Sequence, residues 1–202
     1  MKNQFFAFLS RMKYIGRWGL MRNTRQENIR EHSASVAVLA HALGVINNVR
    51  FGGNADPDKL ASVALYHDAE EIITGDMPTP VKYFSPDLRA AVAEAEADAK
   101  NTLLRMLPAD LRPAYRGLLY CEDEQTKRLV KAADVLDAHI KCIEEVKSGN
   151  AEFAAAREST GRKLRALACP EADYFIEQFL PAFEKNLDEQ QKIDPSEKGE
   201  NL

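Results

Sequence analysis

The chain has 202 residues, of which 45% are hydrophobic, and its formal net charge is -4 at pH 7. This length supports one sizeable hydrophobic core, and we expect one domain over residues 1–187 followed by a polar, flexible tail over 188–202. The negative charge argues against binding to nucleic-acid polymers or membrane surfaces, which usually requires a basic excess. Nearly every periodic segment has the helical period, so the sequence predicts an all-α bundle of about seven to nine helices.

The first two predicted helices each have one apolar face. The first helix ends at Gly16, and its apolar face is formed by Phe5, Leu9 and Met12. The second runs from about residue 28 to residue 48. Its apolar positions alternate in steps of four and three residues, which keeps them on one side: His32, Val36, Leu39, Leu43 and Ile46. His32 is therefore expected to point into the core.

The third predicted helix begins at Pro57, because Asp56 is a favourable N-cap and proline fits the first helical position. We expect it to continue to about residue 73. This places His67 and Glu71 on one face of the helix, with Asp68 next to that face.

Prolines divide the middle of the chain. Residues 75–80 contain two prolines and are predicted to form a shaped loop, because proline lacks a backbone donor and restricts the residue before it. Ser85 begins another helix, and Pro108 and Pro113 are predicted to break the chain again.

The C-terminal third predicts three further helices. The first, from about residue 124 to 148, has an apolar seam with Asp134 beside it, and Gly149 caps its end. The seam is formed by Leu129, Ala133, Leu136, Ile140 and Ile143. Two packing helices follow at about 153–167 and 172–187.

Two of the four histidines, His32 and His67, lie on predicted apolar faces. A single histidine there is more often an ordinary core residue than a ligand. Together with Asp68 and Asp134, however, they form a set of two imidazoles and two carboxylates from three helices. This mixed set favours one divalent transition ion such as Co, Mn, Fe, Zn, Ni or Cu over Mg or Ca. Asp137 offers a further carboxylate on a similar face, and the sequence leaves its contribution open.

The cysteines and the hydropathy indicate the compartment. Three scattered cysteines without a Cys-x-x-Cys spacing predict reduced thiols, neither a disulfide framework nor a thiolate zinc site. We find no apolar run near the ~20 residues that span a bilayer. We therefore expect a soluble, cytoplasmic protein.

The order His32, His67-Asp68, Asp134 resembles the ligand set of the HD-domain metal phosphohydrolase superfamily. Further strings resemble its bacterial 5'-deoxynucleotidase branch: Arg17-Trp18, Glu31-His32-Ser33, Tyr66-His67-Asp68-Ala69, Thr74-Gly75-Asp76 and Pro78-Thr79-Pro80-Val81-Lys82. The resemblance covers residues from about 3 to 187. It implies an HD-type bundle with a central metal, one ion per subunit. The activity it implies is hydrolysis of deoxyribonucleoside 5'-monophosphates by a metal-activated water. It also favours a homodimer.

The resemblance and the residue chemistry together suggest roles at this site. Glu71, one turn after His67, is expected to be the general acid or base, whereas Glu70 is expected to be an exposed carboxylate. Arg17 is expected to orient the phosphate, and Trp18 to occupy the space of a ribose 2'-hydroxyl. Asp76 is expected to accept from the sugar 3'-hydroxyl within a wall of neighbouring residues. The substrate contacts then comprise Arg17, Trp18, Asp68, Asp76, Met77, Pro78, Thr79 and Asp134.

Two alternatives stay open from the sequence. The same metal site could hydrolyse another nucleotide, such as a deoxynucleoside triphosphate or a cyclic nucleotide. An HD domain could also be a metal-holding interaction module without catalysis, although the presence of Arg17, Glu71 and Asp76 together argues against this.

Overall fold

The computed structural model describes residues 3–192, and within this range it contains helices and no β-strand. The α-helices are α1 (Phe5–Leu9), α2 (Ile29–Phe51), α3 (Pro57–Tyr66), α4 (Glu71–Thr74), α5 (Thr79–Lys82), α6 (Pro86–Arg105), α7 (Arg112–Leu119), α8 (Glu124–Lys147), α9 (Ala154–Ala166), α10 (Pro170–Gln178) and α11 (Leu187–Gln190). Short 3-10 helices lie at Ser10–Tyr14, Ala151–Phe153 and Leu180–Glu184. The all-α prediction is confirmed, and seven of the α-helices have eight residues or more.

The core is built around α2, which packs against α3 and α8. The predicted apolar faces of α2 and α8 meet there, and Val36, Leu43, Leu129 and Leu136 are fully buried. A second cluster around Phe5 and Leu103 joins α1 to α6 and α7. The long helices α2 and α8 therefore form a rigid frame from which polar side chains can be held in fixed positions.

Side-chain caps define where the long helices begin. Asn28 accepts hydrogen bonds from the backbone N–H groups of Arg30 and Glu31, which satisfies donors that the first turn of a helix leaves unpaired. Asp56, Ser85 and Asp123 cap α3, α6 and α8 in the same way. These starts confirm the capping predictions made for α3 and α6.

The predicted third helix is wrong beyond Tyr66. The chain leaves α3 there and passes through a tight turn, in which Ala69 N–H donates to Tyr66 O at 3.2 Å and Glu71 N–H donates to Asp68 O at 3.1 Å. Hydrogen bonds to the third preceding residue wind the backbone more tightly than an α-helix. Only after this turn does α4 begin, so His67 and Asp68 lie at a break between two helices.

Prolines begin helices more often here than the sequence predicted. Pro80 lies in the first turn of α5 and Pro113 in the first turn of α7, so neither interrupts a helix. The first turn tolerates proline because its backbone N–H groups have no intrahelical acceptor. The last predicted helix, in contrast, is divided at Phe179 into α10 and a 3-10 helix.

The expected boundary at residue 187 coincides with the start of α11, which has a capping box at Asn186. The helix extends into the predicted tail, and residues 193–202 of that tail lie outside the described residues. The division into a domain and a tail stays a prediction.

By length and composition, α2 is apolar enough to span a bilayer, so the expectation that no such segment exists is wrong. The structure explains this composition. One side of α2 is buried in the core, and the opposite side is also apolar, with Val38 and Val49 each 71% exposed. The helix is a core element with a second apolar face.

Candidate active site

Three parts of the chain bring the four predicted metal ligands together. His32 projects from α2, His67 and Asp68 from the turn after α3, and Asp134 from α8. His32 Nε2 lies 3.4 Å from Asp68 Oδ2 and 3.3 Å from Asp134 Oδ1. His67 Nε2 lies 3.1 Å from Asp68 Oδ2, and the two imidazole ring centroids are 5.2 Å apart. The donor atoms of all four side chains therefore surround one small volume.

The two imidazoles present the same nitrogen to this volume. His32 Nδ1 is 2.6 Å from Asp137 Oδ2, and His67 Nδ1 is 2.7 Å from the carbonyl oxygen of Ala64. Because both partners are acceptors, each Nδ1 donates a proton, and in the neutral imidazole each Nε2 keeps its lone pair. Both Nε2 atoms are buried without a hydrogen-bond partner. Two buried, unpartnered nitrogen atoms beside two carboxylates are suitable ligands for a divalent cation with mixed nitrogen and oxygen ligation.

The electrostatics of the cluster also favour a positive charge at its centre. Burial disfavours the imidazolium form of His32, but the nearby carboxylates of Asp134, Asp137 and Asp68 outweigh this and raise its pKa well above the usual value. Burial opposes ionisation of Asp68, yet the adjacent imidazoles hold its pKa well below the usual range. The carboxylates thus stay ionised and attract a cation or a proton.

Arg17 and Trp18 are held by the same carboxylate oxygen. Arg17 Nη1 donates to Glu27 Oε2 at 2.7 Å, and Trp18 Nε1 donates to the same atom at 3.0 Å. The backbone N–H of Arg17 also donates to Glu27 O at 2.9 Å. Glu27 lies in a polar loop without helical spacing, and sequence reasoning missed it. It fixes both predicted substrate residues as one unit.

The Arg17 guanidinium lies near the cluster of the four predicted ligands. Its side chain is 12% exposed. Burial alone lowers an arginine pKa, but Glu27, followed by Asp134 and Asp68, more than compensates and raises the pKa of Arg17. The positive charge therefore lies within electrostatic reach of the carboxylates of Asp68 and Asp134.

Trp18 has an unusual backbone conformation. Its φ of 60° is in the left-handed region, which costs free energy for a bulky residue. Its ring packs against Phe153 at a centroid distance of 5.3 Å, and its indole N–H is held by Glu27. These contacts hold the ring in one position, and its expected role at the ribose 2'-hydroxyl stays a prediction.

Glu71 and Asp76 lie beside the cluster. Burial, followed by the negative charges of Asp68 and Asp76, raises the pKa of Glu71 to about 9. Its Oε2 is buried and has no hydrogen-bond partner. Burial raises the pKa of Asp76 as well, and the positive charge of Arg17 partly opposes the increase. The loops that begin at Arg17 and at Asp76 are therefore neighbours.

The structure contradicts the expectation that Glu70 is exposed. Glu70 is 6% exposed, and its Oε1 lies 3.0 Å from Lys100 Nζ on α6. Glu70 and Glu71 are consecutive, and the tight turn directs one toward α6 and the other toward the cluster. Of the predicted wall residues, Met77 and Pro78 are half-buried and Thr79 is exposed.

Comparison with known proteins gives a family. The family model described as "5'-deoxynucleotidase YfbR-like" matches residues 4–183. The chain belongs to this family. Proteins named 5'-deoxynucleotidase from Erwinia tasmaniensis and Cronobacter sakazakii are each 47% identical to it, and each alignment covers 93% of this chain and 96% of the relative. The enzyme is a 5'-deoxynucleotidase, a hydrolase that acts on a phosphomonoester, and the family match selects this function over the alternatives.

Solved structures support the fold. An HD-domain phosphohydrolase from Listeria innocua superposes with a TM-score of 0.78 at 26% identity, covering 89% of this chain and 88% of that chain. A cyanophage S-2L HD phosphohydrolase, solved with dA and one catalytic Zn²⁺ ion, superposes with a TM-score of 0.60 at 22% identity. It covers 87% of this chain and 95% of that one. The HD-type architecture of the deoxynucleotidase is thereby confirmed.

Proposed function

We propose that His32, His67, Asp68 and Asp134 hold one divalent transition ion per subunit. The observation that carries this proposal is the pair of buried, unpartnered Nε2 atoms, which lie within 3.4 Å of ligand carboxylates. When bound, such an ion lowers the pKa of a coordinated water toward ~7 and polarises a phosphoryl oxygen. The zinc in the cyanophage relative supports Zn as one candidate, and Co, Mn, Ni and Cu suit the same ligands.

Glu71 is the proposed general acid or base. A carboxyl group that keeps its proton at neutral pH can donate it to the departing 5'-oxygen of the nucleoside, which otherwise leaves as an unstable alkoxide. Burial and the two neighbouring aspartates supply this property by raising the pKa of Glu71 to about 9. Its unpartnered Oε2 leaves one oxygen available for substrate or water.

Arg17 is the proposed phosphate ligand. One guanidinium nitrogen, Nη1, is bound to Glu27. The remaining N–H groups can donate to phosphate oxygens, and the fixed planar geometry orients the phosphorus for attack. Because the surrounding carboxylates are ionised, Arg17 also offsets their repulsion of an anionic substrate.

Trp18 and Asp76 are the proposed sugar-recognition pair. Asp76 accepts the hydrogen bond of the 3'-hydroxyl, and the rigid Trp18 ring fills the volume that a 2'-hydroxyl would need. A ribonucleotide then clashes with a ring that cannot move, since Phe153 and Glu27 both hold it. Met77, Pro78 and Thr79 form the adjoining wall. The dA bound by the cyanophage relative is in keeping with a deoxynucleoside ligand here.

The outer face of α2 supports a homodimer. Val38, Ala42, Val45 and Val49 follow each other at steps of four and three residues, which is the spacing of a helix that pairs with another helix. We propose that a second copy covers this apolar stripe. Replacing Val38 and Val45 by lysine should convert a dimer to a monomer in analytical ultracentrifugation, and an unchanged dimer would place the interface elsewhere.

A phosphate-release assay tests the proposed function. Protein that has been freed of metal with a chelator is incubated with dAMP, AMP and dATP, each with and without added Co²⁺, Mn²⁺ or Zn²⁺. We expect metal-dependent release from dAMP, with AMP and dATP hydrolysed much more slowly. Release that persists in excess chelator would contradict the metal proposal, and equal rates on dAMP and AMP would contradict the role of Trp18.

A further inference from the structure

Asp137 lies immediately behind a proposed metal ligand. It is one helical turn beyond Asp134 on α8, and its Oδ2 accepts the Nδ1 proton of His32 at 2.6 Å. The side chains are 9% and 0% exposed, respectively. This hydrogen bond is therefore shielded from water, and His32 has no alternative partner at Nδ1 among the residues described.

We propose that Asp137 is a positioning residue that fixes His32 with Nε2 toward the metal and makes that nitrogen a stronger donor. A carboxylate on one imidazole nitrogen sets the tautomer and ring orientation, and it raises the basicity of the other nitrogen. Asp137 is thus not a fifth ligand, because its oxygen is on the far side of the imidazole ring from Nε2. The inference rests on the metal site of the proposed function.

The same carboxylate connects the metal ligand to the phosphate residue. Asp137 Oδ2 lies 4.0 Å from Arg17 Nη1, and Arg17 Nη1 is in turn bound to Glu27. A continuous polar chain therefore runs from His32 through Asp137, Arg17 and Glu27 to Trp18. Metal ligation and substrate positioning share this chain.

The contacts of Arg17 also explain why another group of possible metal-binding side chains nearby does not form a second metal site. Glu27, His32 and Asp137 have donor atoms within 4.8 Å of one another. However, the Arg17 guanidinium already lies against Glu27 and Asp137, and His32 Nδ1 is occupied by its proton. The positive charge of Arg17 therefore takes the place that a second cation would need.

Metal affinity tests the proposal directly. Wild-type protein and the Asp137→Asn variant are stripped of metal and titrated with Zn²⁺ against a chromophoric chelator. Asparagine keeps the shape but loses the charge, and its amide can impose the wrong tautomer on His32. We expect the Kd of the variant to rise by about 10- to 100-fold. An unchanged Kd would overturn the proposal.

Two controls separate the possible failures. Glu171→Gln removes another buried carboxylate, which is bound to Arg128 and Asn47 away from the site, so it should lower stability without altering the Kd for Zn²⁺. His32→Ala removes a proposed ligand. If the wild type and His32→Ala bind zinc equally weakly, the proposed metal site is wrong. If His32→Ala loses zinc binding but the Kd of Asp137→Asn is unchanged, only the role of Asp137 is rejected.

A measurement on the wild type does not depend on whether a variant folds. In the zinc-loaded protein with ¹⁵N-labelled histidine, His32 should show a proton on Nδ1 that exchanges slowly with water, and no proton on Nε2. Zinc on Nδ1, or a rapidly exchanging Nδ1 proton, would overturn the proposed hydrogen bond to Asp137.

Discussion

Replacing Glu27 by glutamine tests whether one carboxylate oxygen positions both Arg17 and Trp18, the proposed substrate-binding residues. In the wild type, Glu27 Oε2 accepts from Arg17 at 2.7 Å and from Trp18 at 3.0 Å. The Arg17 and Glu27 side chains are only 12% and 14% exposed, so water replaces these contacts poorly. A neutral amide keeps the shape of the side chain but removes the charge that strengthens both hydrogen bonds.

The magnitude follows from the character of these bonds. A hydrogen bond to a charged group contributes about 1.5–3 kcal/mol. If the whole of one such contribution is lost from the bound transition state, kcat/KM for dAMP falls by about 10- to 150-fold. The preference for dAMP over AMP should also decrease, because the Trp18 ring is less firmly held. Zinc affinity should change much less than in Asp137→Asn, since Glu27 forms no hydrogen bond to a proposed ligand.

Steady-state phosphate release on dAMP and AMP gives both quantities. Glu158→Gln is a suitable control, because Glu158 is an exposed carboxylate whose contact with Arg162 is 3.7 Å long. Such surface pairs contribute little. The reasoning is refuted if Glu27→Gln retains wild-type kcat/KM on dAMP and the wild-type preference over AMP.

Three further predictions concern catalysis and stability. Glu71→Gln should lower kcat on dAMP by about 10²- to 10⁴-fold with little change in KM, because the proton donor is lost while the binding groups stay. A large rise in KM alone would contradict the assignment of Glu71 as the general acid or base. Glu145 is 1% exposed and accepts hydrogen bonds from Thr24, Lys141 and Asn150, so Glu145→Ala should lower the free energy of unfolding by about 3–5 kcal/mol in urea titrations. The hydrogen bond from Arg128 lowers the pKa of Glu171 to about 2. Its stabilisation is therefore fully present above the unfolded-state pKa of about 4.3 and is lost as the pH falls toward 2. Glu171→Gln should flatten the pH dependence of unfolding in that window, and an unchanged slope would show that the pair with Arg128 does not control it.

The loop that carries Arg17 and Trp18 shows why some of the site was hidden from the sequence. Glu145 on α8 binds the backbone N–H and hydroxyl of Thr24, and Asn150 binds the carbonyl of Arg22. These contacts join residues more than 100 positions apart in the chain. Helical spacing predicts which face a residue occupies, but it gives no information about which loop will reach that face.

The sequence by itself determined the helical fold, the buried faces of α2 and α8, and the convergence of His32, His67, Asp68 and Asp134 as candidate ligands. Helical periodicity can be found within one segment of the sequence. The apolar faces of two helices then pack against each other because this removes them from water. Only the tertiary structure decided what Glu27, Glu70 and Asp137 contact. Glu70 and Glu71 are adjacent in the chain, yet the tight turn after Tyr66 directs one to Lys100 and leaves the other beside the cluster. Asp137 is separated from Asp134 by one turn of the same helix, and only the position of the His32 ring showed that Asp134 lies beside Nε2 and Asp137 beside Nδ1.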